Sequence, residues 1–416
     1  MSRCRTFAYL AGIALAGALT TAPSAAETLT LYWNAGHSYQ AYADAISKFE
    51  ADHPGWTVRW EKFQWPDMRT KLIADFAAKN PPDLSAEPGG WVQEFGQKGL
   101  LRPLNDFVEK DGKAIGFPED WQAYAVDRNK LGDQYYGVQL HLTCATLVYN
   151  VDMLKAAGFD QPPKTWEEFR EVAKATSKGG RFGFAPNPSS PGAYYWSWLL
   201  QNGVSFYDPK TNKVTLDSPE AIEAIQFLSD LIHKDKAATK PVAGADYEGP
   251  QKLFTANRVA MIITGPWDVK PIRSGNPKLN WAVAPSLKHK VQATFTGGVS
   301  LMIPKDAKHP NEAWDLMKRL VALDTELAAT KEAGMTMPRK SWVENPAVQA
   351  DPVIGSFGRC LPYAEDITAQ LRLTGKSAQI EKLLLSAFEE IVYNQAPAAE
   401  VLPRFTAEAN AILASK

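Results

Sequence analysis

From Leu29 onward, strand-like and helix-like segments alternate along the chain, and that alternation leaves few folds open. Leu29-Thr30-Leu31-Tyr32-Trp33 is rich in β-formers. Tyr42, Ile46 and Phe49 then recur at helical spacing until His53-Pro54-Gly55 stops the run. Thr57 to Phe63 is a second strand candidate, and Met68, Leu72, Ile73 and Phe76 mark one face of a second helix. Pro81-Pro82-Asp83-Leu84 leads into a short third strand. A βαβαβ opening of this kind builds a sheet with helices on both faces, so the expected class is α/β.

The later chain continues in the same style. Thr165-Trp166-Glu167-Glu168 is a capping box, in which the Thr hydroxyl and a Glu carboxylate satisfy free N–H groups at a helix start. Ser218-Pro219 marks another start, with Ile222, Ile225 and Leu228 following on one face. Ala313, Trp314, Met317 and Leu320 step by three and four through Asn311 to Leu320. Ile380, Leu383, Leu384, Phe388 and Ile391 predict a long amphipathic helix near the end. No internal repeat and no separate linker interrupts the pattern.

Residues 1–26 read as a cleavable export signal. Arg3 and Arg5 give a positive start, Phe7 to Leu19 is an apolar run too short to span a bilayer, and Ser24-Ala25-Ala26 offers small residues for cleavage near Ala26. The expected location is the periplasm. The formal charge is −1, with both signs scattered and no basic block, which argues against nucleic acid or an anionic membrane as partner. Cys144 and Cys360 remain after the signal. An oxidising compartment permits a bridge, but two cysteines are not a disulfide framework, and both read as small buried apolar residues.

Several short phrases carry a likeness. They are Leu29–Trp33 with Gly36-His37, Pro82-Asp83-Leu84 with Gly89-Gly90-Trp91, Tyr136-Gly137 running into Leu147-Val148-Tyr149-Asn150, and Val151-Asp152-Met153-Leu154-Lys155-Ala156-Ala157-Gly158. Phe254-Thr255-Ala256-Asn257-Arg258-Val259-Ala260-Met261, Thr264-Gly265-Pro266-Trp267 and Thr296-Gly297-Gly298 follow. In order and spacing they resemble the sugar-binding extracellular solute-binding proteins of bacterial ABC importers, the group that includes maltose-binding protein. The resemblance implies a two-lobed periplasmic-binding-protein fold (type II) with discontinuous lobes on a hinge. Carried over, residues 27–140 and 286–333 form the N-lobe, and residues 141–285 and 334–416 the C-lobe. It also implies a monomer that takes a small carbohydrate, needs no cofactor or metal, and delivers its ligand to membrane permease subunits served by an ATPase.

Ligands of open α/β sheets lie beyond the carboxyl ends of the strands. That rule selects His37 after the first strand, Gln64 after the second, and Glu87 and Gly89 after the third. The resemblance adds His141 and Thr143 near the first hinge crossing, Gly192, Tyr194 and Trp196 in an aromatic loop, and Trp267 as a stacking platform for a sugar. Gly297 and Gly298 let backbone approach a ligand closely. Arg359 and Arg372 fall in the C-terminal portion. Each has a plainer reading: His37 as a helix cap, His141 as a satisfied interior histidine, the arginines as solvated surface, the glycines as a tight strand entry.

Gln139 and His141 stand where the family often carries Pro. With His37 and the arginines they point to a ligand with an acidic group, held by forked charge-assisted contacts. The whole chain also resembles binding proteins for sulfoquinovosyl glycerol, which makes that glycoside the specific expectation. A neutral oligosaccharide or polyol is the alternative. A secreted carbohydrate-active enzyme is the alternative from another class, since Asp and Glu are plentiful. However, no Gly-x-Ser-x-Gly elbow, His-Glu-x-x-His motif, zinc-spaced Cys cluster or Walker loop occurs, and the six histidines are dispersed. The expectation is a binding protein, not an enzyme.

Overall fold

The computed structural model describes residues 1, 26–186, 195–240 and 249–415. The signal segment therefore lies outside the described residues except for its two ends. β1 (Glu27–Asn34) and β2 (Trp56–Phe63) pair in parallel, with Leu29 opposite Val58 and Trp33 opposite Lys62. α1 (Gln40–Asp52) connects them and buries Tyr42, Ala45, Ile46 and Phe49. α2 (Trp65–Ala77) leads to β3 (Leu84–Glu87), parallel to β1 on its other side. α2 buries Met68, Leu72 and Phe76, while Ile73 is 50% exposed. One residue beyond Leu72 is a 100° turn of the helix, which takes Ile73 off the apolar stripe.

β3 ends in a glycine turn before α3 (Trp91–Gln97). After the short helix α4 (Ala123–Asp127), β4 (Val138–Cys144) joins the first sheet and β5 (Thr146–Asn150) joins a second. A single residue, Ala145, separates them. The second sheet runs β8 (Trp281–Val283), β5, β7 (Val259–Thr264), β6 (Phe182–Phe184). The chain returns to the first sheet at β9 (Thr294–Met302), which lies antiparallel between β3 and β4. The helix Leu323–Ala333 packs on α1, and α5 (Pro352–Cys360) touches both β4 and β8. β10 (Ala364–Glu365) pairs with the start of β9. α6 (Ala369–Arg372), α7 (Ser377–Val392) and the helix Ala398–Ala414 complete the second body.

The local signals act where the sequence places them. Thr165 Oγ1 accepts from Glu168 N at 3.2 Å, and Ser218 Oγ accepts from Ala221 N at 3.2 Å with Pro219 opening its helix. α7 buries Ile380, Leu384, Phe388 and Ile391. Two large cores result. One holds Trp33, Tyr42, Phe49, Trp121 and Trp314; the other holds Trp166, Phe169, Trp198 and Phe388. Trp267 packs against both.

One expectation is corrected here. Cys144 and Cys360 are buried, as read from the sequence, but they are joined in a disulfide and are not separate thiols. Their Cα atoms are 6.5 Å apart, a spacing a disulfide spans without backbone movement. The fold makes this separation of 216 residues short in space, because Cys144 ends β4 and Cys360 ends α5, which packs on β4. Among the described residues, no helix is long and apolar enough to cross a membrane.

Candidate functional site

The loops beyond β1, β2 and β3 converge. At the end of β1, the Asn34 side chain accepts from Gly36 N at 2.9 Å and starts a tight turn over Ala35–His37. That turn directs the His37 ring to 5.3 Å from His141 and 5.8 Å from Trp65, at the start of α2. His141, on β4, is fully buried, and its Nε2 lies 2.5 Å from Tyr42 Oη. Nδ1 of both imidazoles has no hydrogen-bond partner among the described residues. Burial pushes His37 down to about 4. Burial, with the charge of His37 added, holds His141 well below the usual histidine range. Both rings are therefore neutral near pH 7, each keeping polar capacity in an aromatic setting.

The second group surrounds the turn after β3. Glu87 is fully buried, and its Oε2 accepts from Gly89 N at 2.7 Å and Trp91 N at 3.0 Å. The carboxylate thus shapes the turn. Gly89 and Gly90 both adopt positive φ, +125° and +88°. Arg128 lies against Gly89 and Arg372 against Gly90, each where a side chain on the glycine would stand. Arg372 ends α6 and pairs with Asp366 through both terminal nitrogens, and its Nη1 also donates to Thr368 Oγ1 at 2.6 Å. Its Nε has no partner among the described residues. Asp366 accepts from Tyr124 Oη at 2.9 Å. Burial works against ionisation of Asp366, but the Arg372 charge prevails and holds the carboxyl below its usual range. Burial pushes the nearby Glu381 carboxyl up to about 7, against the pull of Arg372.

The remaining candidates divide. Gly297 and Gly298 sit inside β9, opposite Thr143 and Leu142 of β4. A side chain at Gly298 would collide with His141 O, so this glycine admits the close approach of β4. Thr143 is buried, and its carbonyl accepts from Thr296 Oγ1 at 2.9 Å. Trp267 lies over Gly265 with its buried Nε1 unpartnered among the described residues. Gln64 is exposed and precedes α2. Trp196 is core, its ring 5.2 Å from Phe206 and 6.4 Å from Phe388. Arg359 is exposed on α5 and donates to Ser356 Oγ at 2.7 Å. Gly192 and Tyr194 lie outside the described residues.

The structure thus brings His37, His141, Glu87, Gly89 and Arg372 into two adjoining polar groups and leaves Trp196 and Arg359 out of them. It adds Tyr42, Tyr124, Arg128 and Asp366, which sequence reasoning missed. Tyr42 was readable only as part of a core stripe, and Arg128 sits in no motif. Neutral imidazoles, an indole and forked cations suit hydroxyl-rich or anionic ligands. Among the described residues, no group of three or more His, Cys, Asp or Glu is placed to hold a metal ion.

Comparison with known proteins identifies the family and the fold. A family model described as bacterial extracellular solute-binding protein matches residues 32–358. A Brucella abortus protein named only as a binding protein is 26% identical over 362 residues, covering 85% of this chain and 86% of its own. The maltotriose-binding protein of Pyrococcus abyssi is 25% identical over 386 residues, covering 85% and 79%. Among solved structures, an ABC transporter solute-binding protein of Thermotoga lettingae bound with α-D-tagatose superposes with a TM-score of 0.83 at 24% identity, covering 93% of this chain and all of that one. That likeness shows the two-lobed fold.

Proposed function

This chain belongs to the bacterial extracellular solute-binding proteins, and we propose that it is the periplasmic binding component of an ABC importer for a carbohydrate. The preferred ligand is a glycoside with an acidic group, such as sulfoquinovosyl glycerol. The sugar class is supported by what the relatives are named for, maltotriose and tagatose. The acidic group is supported by one observation above others: Arg372 reaches from α6 to Gly90 and keeps a buried, unpartnered Nε there.

The mechanism is closure of two lobes on a hinge. One lobe is built on the first sheet and the other on the second. The chain crosses at Ala145 and again between Val283 and Thr294, and the boundary carried over from the resemblance puts the third crossing near residue 334. Water leaves the cleft on closure, which strengthens each polar contact inside. His37, His141 and Trp267 take the sugar body, and Arg372 takes the acidic end. The closed protein, a monomer without cofactor, hands its ligand to the permease subunits and does not turn it over. Residues 1–26 direct export.

A second reading has its own observation. Asp366 already neutralises Arg372 through two contacts, which favours a neutral oligosaccharide or polyol. Calorimetric titration separates the two, using maltose, a neutral glycosyl glycerol, glycerol 3-phosphate, a uronic disaccharide and sulfoquinovosyl glycerol. Tight binding of the sulfonated glycoside alone is the expected result. Tight binding of a neutral sugar in its place discards the acidic group and keeps the carrier. Turnover of any of them removes the binding-only role.

A further inference from the structure

A second buried guanidinium beside the glycine turn has capacity that is not used. Arg128 caps the end of α4, and its side chain is only 4% exposed. Its nearest carboxylate is Glu87, with Nη2 at 3.8 Å from Oε1, too far for a hydrogen bond. Glu87 is held where it is, because its Oε2 is committed to Gly89 N and Trp91 N. As a result Arg128 Nη1 and Glu87 Oε1 are both buried without a hydrogen-bond partner among the described residues. A buried cation with an unmade N–H contact is costly, so such a group marks a place where a partner is still to come.

The surroundings are shaped for that partner. A Cβ on Gly89 would stand 2.5 Å from Arg128 Nη2, and one on Gly90 would strike Arg372 Cδ. Two consecutive glycines therefore admit two guanidinium groups, one from α4 and one from α6. The pair differ in compensation. Arg372 is matched by Asp366 in two hydrogen-bonded contacts, whereas Arg128 has Glu87 at 3.8 Å and feels Asp366 only through its charge. Arg128 is thus the less neutralised of the two cations and retains an N–H for a new acceptor.

We propose that Arg128 is a specificity-determining residue, which holds the acidic group of the ligand from the first lobe while Arg372 holds it from the second. This rests on the acidic-glycoside reading above. It assigns charge recognition to both sides of the cleft, so that an anion links them.

The test is calorimetric titration of the wild type and Arg128→Gln with sulfoquinovosyl glycerol and with neutral glucosyl glycerol, which differ in the charged group. The variant should lose at least roughly tenfold in affinity for the sulfonated glycoside and change by less than about threefold for the neutral one, since removing one partner of a desolvated charge contact is felt only where the charge is present. An unchanged affinity for the sulfonated glycoside overturns the assignment. So does an equal loss on both ligands, which marks Arg128 as a structural support. If Arg128→Gln does not fold, Arg128→Lys carries the test: it keeps the charge but loses the fork, so the sulfonated ligand should again suffer more, and equal effects on both overturn the assignment. A wild type that does not prefer the sulfonated glycoside overturns the acidic-glycoside reading itself, before any variant is compared.

Discussion

Tyr124 Oη donates to Asp366 Oδ2 at 2.9 Å and so ties the helix capped by Arg128 to the segment that carries Arg372. The acceptor is an ionised carboxylate, which places this bond among the stronger neutral-to-charged kind. Tyr124→Phe removes the donor and leaves Asp366 with its contacts to Arg372 and Thr368. The expected cost is about 1.5–3 kcal/mol of stability, read from the denaturant midpoint. An unchanged midpoint would mean that the phenol contributes nothing across this junction.

The two imidazoles give the protein an acid-sensitive stability. In the unfolded chain they take up protons near pH 6.5, whereas in the fold burial delays His37 to about 4 and holds His141 well below the usual histidine range. The unfolded state therefore binds more protons in between, and stability falls as pH drops from about 6.5 toward 4, by on the order of 3 kcal/mol for His37. Glu381 acts in the opposite sense. Its carboxyl is raised to about 7, so its contribution is full below about pH 4.5 and is lost as pH rises through 7. Comparison of thermal midpoints for the wild type and His37→Gln isolates the histidine. The wild type should lose more on acidification; parallel curves would contradict the shift.

Trp267 packs against both cores and keeps an unpartnered indole N–H. Trp267→Ala should weaken binding of the native ligand by on the order of 2 kcal/mol or more, as expected for a buried aromatic anchor. Titration at matched protein stability checks this, and unchanged affinity would take Trp267 out of the site.

Loss of the Cys144–Cys360 bridge should destabilise the fold by about 2–5 kcal/mol, because the loop it closes is long. The measurement is the unfolding midpoint of the Cys144→Ala, Cys360→Ala double variant. Equal midpoints for variant and wild type would show that the bridge adds nothing.

What was legible in the sequence was what local chemistry determines. The Thr165 and Ser218 caps, the stripe of α1 and the opening βαβαβ unit depend on residues a few positions apart. The positions of His37 and Glu87 at strand ends were legible because strand ends are readable. The bridge was not, since nothing near Cys144 reports that α5 will return beside β4. Arg128 was missed for the same reason. Its importance comes from Gly89, Glu87 and Tyr124 meeting around it, and an arginine at a helix end otherwise reads as solvated surface. Trp196 shows the opposite limit: an aromatic in a loop-rich stretch suits a sugar platform, and the fold sets its ring in the core beside Phe206 and Phe388.

The bridge has a topological consequence. Residues 144 to 360 form a closed covalent ring that includes every strand of the second sheet and β9 of the first. A single protease cut within that ring opens it without releasing a fragment. Nicked molecules should run as one species on a denaturing gel until a reductant is added, whereas a cut outside the ring frees a piece at once.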